Sequence, residues 1–310
     1  MRLGGYPNKN KFFLKKRISF PHENILLNGR SSFYLILDFF KPDLIHVPFY
    51  ICRDIVNVLK EKKVKFKFYG LKRNLKPKKI IFKKKEYFLA VPYFGIIKLK
   101  KNKRSIFDLS TSFFYPKKNL IFFNSLRKFF YVNFGSFLNI NNKFKLKNAI
   151  SSELKNIELP KNYNDFLNNE KNHYVLNKNV KKFVSINFFK LNFNLIKKKR
   201  NENFVIYHKT FEKINQIKIN IKEVVGPQYY PLLINDGFKI RKKLIKKKIF
   251  IPNLWSELNV KRSKMFKFEI KLSKNCLYLP VNENLQPKEI KYIIKEVLIC
   301  YKRPKKNHEL

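Results

Sequence analysis

Three features of the 310-residue sequence predict an α/β fold with a mixed, mostly parallel sheet, followed by a small α+β unit. Short apolar runs alternate with helix-length segments through the first half of the chain, the order that βαβ units produce. Runs such as LIFF (120–123) are apolar throughout, which suits strands covered on both faces. After Gly226-Pro227 the order changes to a denser mixture of strands and helices. These features set the expected division: a major domain over 1–225, poorly defined over 141–225, and a C-terminal α+β subdomain over 226–310.

The elements follow in order. Asn28-Gly29-Arg30-Ser31-Ser32 runs into FYLILDFF, where glycine permits a tight turn and the polar residues supply cap chemistry for a helix. A helix opening this way turns free backbone N–H groups and its positive dipole end outward, ready for a phosphate, although any capped helix looks the same in sequence. DLIHVPFY (43–50) reads as a strand, 51–62 as a helix, VKFKFYG (64–70) as a strand with alternating exposure, and EYFLAVPYFG (86–95) as another strand. RSIFD, LIFF and FGSFLNI (134–140) complete the series. Helices are expected around 164–176 and 202–215. Beyond Gly226, strands are expected at 229–236, 249–255 and 276–282, with helices at 237–247 and 287–301. Pro287 suits a first helical turn, and Ile290, Ile293, Ile294 and Val297 share one face.

Composition narrows the class. Hydrophobic residues make up 45% and aromatics 16%, enough for a substantial core in spite of a net charge of +48. Such charge ordinarily points to nucleic acid or an anionic membrane. Here Lys, Asn, Ile and Phe are inflated together while Gly stands at 8 and Trp at 1, the imprint expected of an AT-rich genome. The lysines are scattered in clusters (83–85, 197–199, 246–248), and no zinc-finger spacing, RNP-like segment or basic zipper is present. No specific nucleic-acid partner is expected. Cys52, Cys276 and Cys300 form neither a metal motif nor a disulfide framework, and the histidines at 22, 46, 173, 208 and 308 show no ligand spacing. With no apolar leader at the start and no apolar run of about 18 residues, a cytoplasmic protein without a membrane span is expected.

The stretch from Arg104 to Ile140 carries the candidate chemistry. One strand exits at Asp108 and the next at Asn124-Ser125, followed by a turn bearing Arg127 and Lys128. In open α/β sheets, ligands sit beyond the carboxyl ends of the strands. An acid and an amine delivered there match one cofactor. Pyridoxal phosphate needs a lysine for its Schiff base and a carboxylate to keep its ring nitrogen protonated. Taken alone, Asp108 reads equally as a helix cap.

In order along the chain, Gly4-Gly5-Tyr6, Asn28-Gly29-Arg30-Ser31, Pro48-Phe49-Tyr50-Ile51-Cys52, Tyr93-Phe94-Gly95, Asp108 to Phe113-Phe114, Ser125-Leu126-Arg127-Lys128-Phe129-Phe130, Ile251-Pro252-Asn253-Leu254-Trp255 and Leu279-Pro280 make a set. In that order and spacing the sequence resembles the DegT/DnrJ/StrS sugar aminotransferases, in an atypical short branch. The resemblance implies a fold-type I, aspartate aminotransferase-like major domain and pyridoxal 5'-phosphate as cofactor. It gives Asp108 the ring nitrogen and Lys128 the Schiff base and proton shuttle. Gly29, Arg30, Ser31 and Ser125 would hold the phosphate, and Tyr50 would stack on the ring, with Cys52 the alternative position; a packed core aromatic is the other reading of Tyr50. Thr111 and Ser112 stand where the family usually has Gln and Ala, placing Thr111 beside the cofactor, and the glycine pair after the lysine is reduced to Gly135-Ser136. Also implied are a homodimer, an amino donor such as glutamate, and a keto-sugar nucleotide acceptor in surface polysaccharide biosynthesis. Two alternatives stay open, a catalytically inactive relative and a basic nucleic-acid-binding protein.

Overall fold

A computed structural model describes residues 3–5, 9, 11–18, 20, 24–81, 83, 85–140, 144–154, 175–258 and 264–302. Tyr6 and most of the helix expected at 164–176 lie outside the described residues.

The first unit holds β2 (Ile25–Leu26), α1 (Gly29–Phe40), β3 (Leu44–Pro48), α2 (Arg53–Glu61), β4 (Lys65–Tyr69), β5 (Glu86–Ala90), β6 (Ser105–Asp108), β7 (Ile121–Phe123) and β8 (Ser136–Asn139). Seven strands form one sheet in the order β2-β8-β7-β6-β5-β3-β4. The pairs β4/β3, β3/β5, β5/β6 and β6/β7 are parallel, while β8 runs antiparallel to both β7 and β2. The mostly parallel, mixed sheet expected from the apolar runs is therefore present. Burial follows topology: all four residues of the central β6 are buried, whereas edge strand β4 alternates and turns Lys65 and Lys67 outward, where charge discourages pairing with another chain. α1 begins where the cap predicts, with the Asn28 side chain accepting from Ser31 N (2.9 Å), and packs on β2, β7 and β8.

The second layer comprises α3 (Phe193–Phe211), β9 (Tyr229–Leu233), α4 (Gly237–Lys246), β10 (Ile249–Phe250), α5 (Lys267–Asn275), β11 (Cys276–Pro280) and α6 (Pro287–Lys302). β9 and β11 form an antiparallel pair, and α3 packs on α6 and β9. β1 (Leu3–Gly4) joins this layer by pairing in parallel with β10. Three elements differ from expectation. The strand expected over 249–255 stops at Phe250, since Pro252 cannot donate to a ladder and Trp255 turns left-handed (φ 53°). α3 starts at Phe193, nine residues earlier, because Asn192 caps it by accepting from Leu195 N at 3.0 Å. α5 was not expected at all.

A cluster of phenylalanines ties the two layers together. Phe113, Phe129, Phe130, Phe188 and Phe193 meet with ring centroids 4.7–5.9 Å apart. It lies directly behind the turn that carries Lys128. No helix among the described residues is long and apolar enough to cross a membrane, and no cluster of His, Cys, Asp and Glu able to hold a metal occurs among them.

Candidate active site

The carboxyl ends of the central parallel strands deliver polar side chains into an otherwise apolar region. Asp108 is the last residue of β6 and 8% exposed. Its carboxyl is raised above the ordinary range by burial, against the opposing pull of the Lys128 ammonium and of Ser110. Ser110 N donates to Oδ1 at 2.9 Å. On the neighbouring strand, β7 ends at Phe123, and Asn124 and Ser125 lead into a single 3-10 turn, Leu126–Lys128. Leu126 N donates to Gly135 O, while Phe129 N and Phe130 N both donate to Leu126 O, at 2.9–3.0 Å, so the turn is held from inside.

Cys52, at the start of α2, lies within electrostatic reach of both groups. Its thiol is pushed up to about 12 by burial, and it feels Lys128 in one direction and Asp54 and Asp108 in the other. Helix α1 starts against the same strand exits. A Cβ at Gly29 would stand 3.2 Å from Asn124 O and 3.6 Å from Ser110 Oγ, so only glycine lets the helix start approach this close without crowding. Asp108, Ser110, Asn124 and Gly29 thus meet at the strand exits, with Lys128 and Cys52 within electrostatic reach of Asp108.

The remaining sequence-derived positions have other partners in this structure. The Arg30 guanidinium sits 3.4 Å from Asp54, and the Ser31 hydroxyl donates to Asn28 Oδ1 and accepts from Leu176 N. Ser125 is buried at the head of the Lys128 turn. Thr111 Oγ1 accepts from Phe94 N at 3.3 Å. Tyr50 is fully buried in an aromatic group beside the site: its ring lies edge-on to Trp255 (4.5 Å) and near Tyr93 (5.8 Å), and its hydroxyl bonds Tyr278.

Sequence reasoning assigned no role to Asn124. Its side chain has no exposure, Oδ1 accepts from Phe137 N at 2.8 Å, and Nδ2 has no partner among the described residues. Ser112 Oγ is orphaned in the same way. The signal was there in the sequence, an amide at a strand exit beside the chosen serine. The polar set suits a ligand that carries both an anionic and a cationic group. It offers a buried carboxyl, an amine, an unsatisfied amide donor and a helix start with no side chain in the way.

No family profile and no curated protein matches the sequence. Solved structures do match in fold. A DegT DnrJ EryC1 StrS aminotransferase from Brucella abortus superposes with a TM-score of 0.63, covering 90% of this chain and 86% of that one at 11% identity. NtdA from Bacillus subtilis, with the cofactor PMP bound, gives 0.63 over 90% of this chain and 73% of its own, at 12% identity. PseC of Helicobacter pylori, an aminotransferase of pseudoaminic acid biosynthesis, gives 0.60 over 88% and 85%, at 13% identity. The sheet order, the antiparallel β8 and the acid and amine at adjacent strand exits thus belong to a chain with the fold of the DegT/DnrJ/EryC1/StrS sugar aminotransferases.

Proposed function

We propose that the protein is a pyridoxal-phosphate-dependent aminotransferase that moves an amino group from a donor such as glutamate to a keto-sugar nucleotide for surface polysaccharide. One observation carries the reading: Asp108 is buried at the end of β6, and Lys128, on the turn that follows the adjacent parallel strand β7, pulls on its carboxyl from within electrostatic reach. In that site pyridoxal phosphate would supply an electron sink for the carbon that loses its proton.

The chain's own residues would do the rest. Asp108 would pair with the ring nitrogen and hold a proton there, a cationic partner offsetting the cost of its burial. Lys128 would offer the amine that holds the cofactor and would move the proton at the substrate carbon. The start of α1 at Gly29 and the spare Asn124 Nδ2 are positioned to take the phosphate, with Ser125 and Ser110 alongside. With the Arg30 and Ser31 side chains engaged elsewhere, their contribution would come from backbone N–H groups. Cys52, within electrostatic reach of Asp108 and Lys128, would flank the ring, the alternative the sequence offered to Tyr50. Residues 1–225 would form the cofactor domain, 226–310 the smaller subdomain, and the working unit would be a homodimer.

The test is direct. Purified protein supplied with the vitamin should show a visible band that borohydride bleaches and that glutamate discharges, and Lys128→Ala should lack it. A wild type indifferent to the vitamin would overturn the reading. A second reading, a relative that holds the fold without turnover, is favoured by the engagement of Arg30 with Asp54. It predicts binding of the vitamin with no discharge by any amino donor.

A further inference from the structure

We propose that Arg200 and Gln228 form a clamp that sets the position of Lys128, and that Glu283 holds the clamp in place. The two N–H groups that follow the Lys128 turn, those of Phe129 and Phe130, donate back to Leu126 O, and the carbonyls of Lys128 and Phe129 are left for donors from outside the turn. Each meets a buried donor arriving from the second layer. Gln228 Nε2 donates to Lys128 O and Arg200 Nη2 donates to Phe129 O, both at 3.4 Å. Arg200 Nη1 donates to Pro227 O at 3.1 Å, and its guanidinium lies 5.0 Å from the Phe129 ring centre. One planar fork therefore grips the residue after Lys128 and the residue before Gln228 together, a geometry an ammonium cannot reproduce.

The clamp is anchored on three sides. Arg200 is 3% exposed on α3, and its Nε stands 2.8 Å from Glu283 Oε2 just beyond β11. Gln228 N donates to Phe94 O, and Gly226 N donates to Asn201 Oδ1 one residue along α3 from Arg200. A buried ion pair of this kind adds little net stability, since apolar side chains of the same volume would fill the space as well. What it does supply is direction: two donors fixed on consecutive carbonyls at the base of one lysine. Misplacing a reacting group by about 1 Å is enough to slow chemistry a hundredfold.

This inference rests on the role proposed for Lys128, and the experiment separates the two. Arg200→Lys keeps the charge beside Glu283 and loses the fork; Gln228→Met keeps the volume and loses the donor. Each variant should retain the bleachable visible band with a shifted maximum. Each should also discharge it with glutamate about 10–100-fold more slowly at an unchanged half-saturating glutamate concentration. The double variant should lose less than the product of the singles, because both grip one turn. Variants with the wild-type band and rate would overturn the clamp while leaving the functional reading intact. Should the wild type bind no vitamin, the functional reading fails and the clamp is judged by deuterium uptake. Faster exchange at the Phe129 and Phe130 amides in both variants supports it, and unchanged exchange overturns it.

Discussion

Replacing Asp108 by asparagine separates what this residue does for the fold from what it is proposed to do for the cofactor. The carboxyl is 8% exposed, and its neighbours are Ser110 and the Lys128 charge. An ionised carboxylate can accept about four hydrogen bonds, so part of its solvation is lost on folding. The net effect is a raised folded pKa, with burial outweighing Lys128 and Ser110. The sign follows from linkage: the folded state binds the proton more tightly than the unfolded state. The penalty is therefore absent below the unfolded value of about 4, grows as pH rises toward the folded value, and is complete above it. Asp108→Asn should stabilise the cofactor-free protein at pH 7 by about 1–3 kcal/mol, the cost of an incompletely satisfied buried polar group. For a chain of this length that is a rise of roughly 2–5 °C in melting temperature. At pH 4 the two proteins should melt together. With the vitamin present at about 1,000 times its dissociation constant, wild type should gain about 4.1 kcal/mol and the variant much less, reversing the order. Melting curves from pH 4 to 8, with and without the vitamin, read all of this. An asparagine variant that is less stable at pH 7, or whose advantage does not vary with pH, would refute the reasoning.

Other perturbations probe the surroundings of the site. Phe130→Ala removes a fully buried ring that meets Phe113 at 4.7 Å and Phe193 at 5.3 Å, and should cost about 3–5 kcal/mol in urea unfolding. Gly135 sits at φ +127°, and a Cβ there would stand 2.6 Å from Leu126 Cδ1. Gly135→Ala should therefore cost roughly 1–3 kcal/mol and weaken retention of the vitamin on dialysis by displacing the Lys128 turn. Burial lowers the Lys117 ammonium to about 8, so half of it is neutral at that pH. Its acylation by a limiting anhydride, followed by peptide mass spectrometry, should titrate near pH 8, whereas surface lysines titrate above about 10.

The parts of the fold legible in the sequence were those where pattern and packing agree. The continuous runs ending at Asp108 and Asn124 became buried parallel strands, and Asn28 capped the helix it was expected to cap. α5 stayed hidden because Phe266, Phe268, Ile270 and Leu272 alternate, the pattern of a strand. Its buried face instead includes Glu269 and Ser273, and the Glu269 carboxylate accepts from Leu71 N across the two layers. The start of α3 was masked in the same manner. Its inward face at Ile196, Arg200, Asn203, Phe204 and Tyr207 has helical spacing, but two members are polar and their partners lie far along the chain. At the site, the acid and amine were visible as strand exits. Cys52 was visible only as an alternative to Tyr50, and the role of Asn124 was not visible, since an orphaned amide is defined only once distant segments meet.

The pairing of Leu3 with Ile249 and of Gly4 with Phe250 has a consequence during synthesis. A ribosome must add about 245 further residues before this ribbon can zip, a wait of roughly 12–50 s at 5–20 residues per second. The seven-stranded sheet can assemble in that interval, since every one of its strands has emerged by Asn139. The Leu3–Gly4 segment would then dock onto a sheet already formed, and its attachment should mark the moment at which Leu3 and Gly4 first resist proteolysis in the nascent chain.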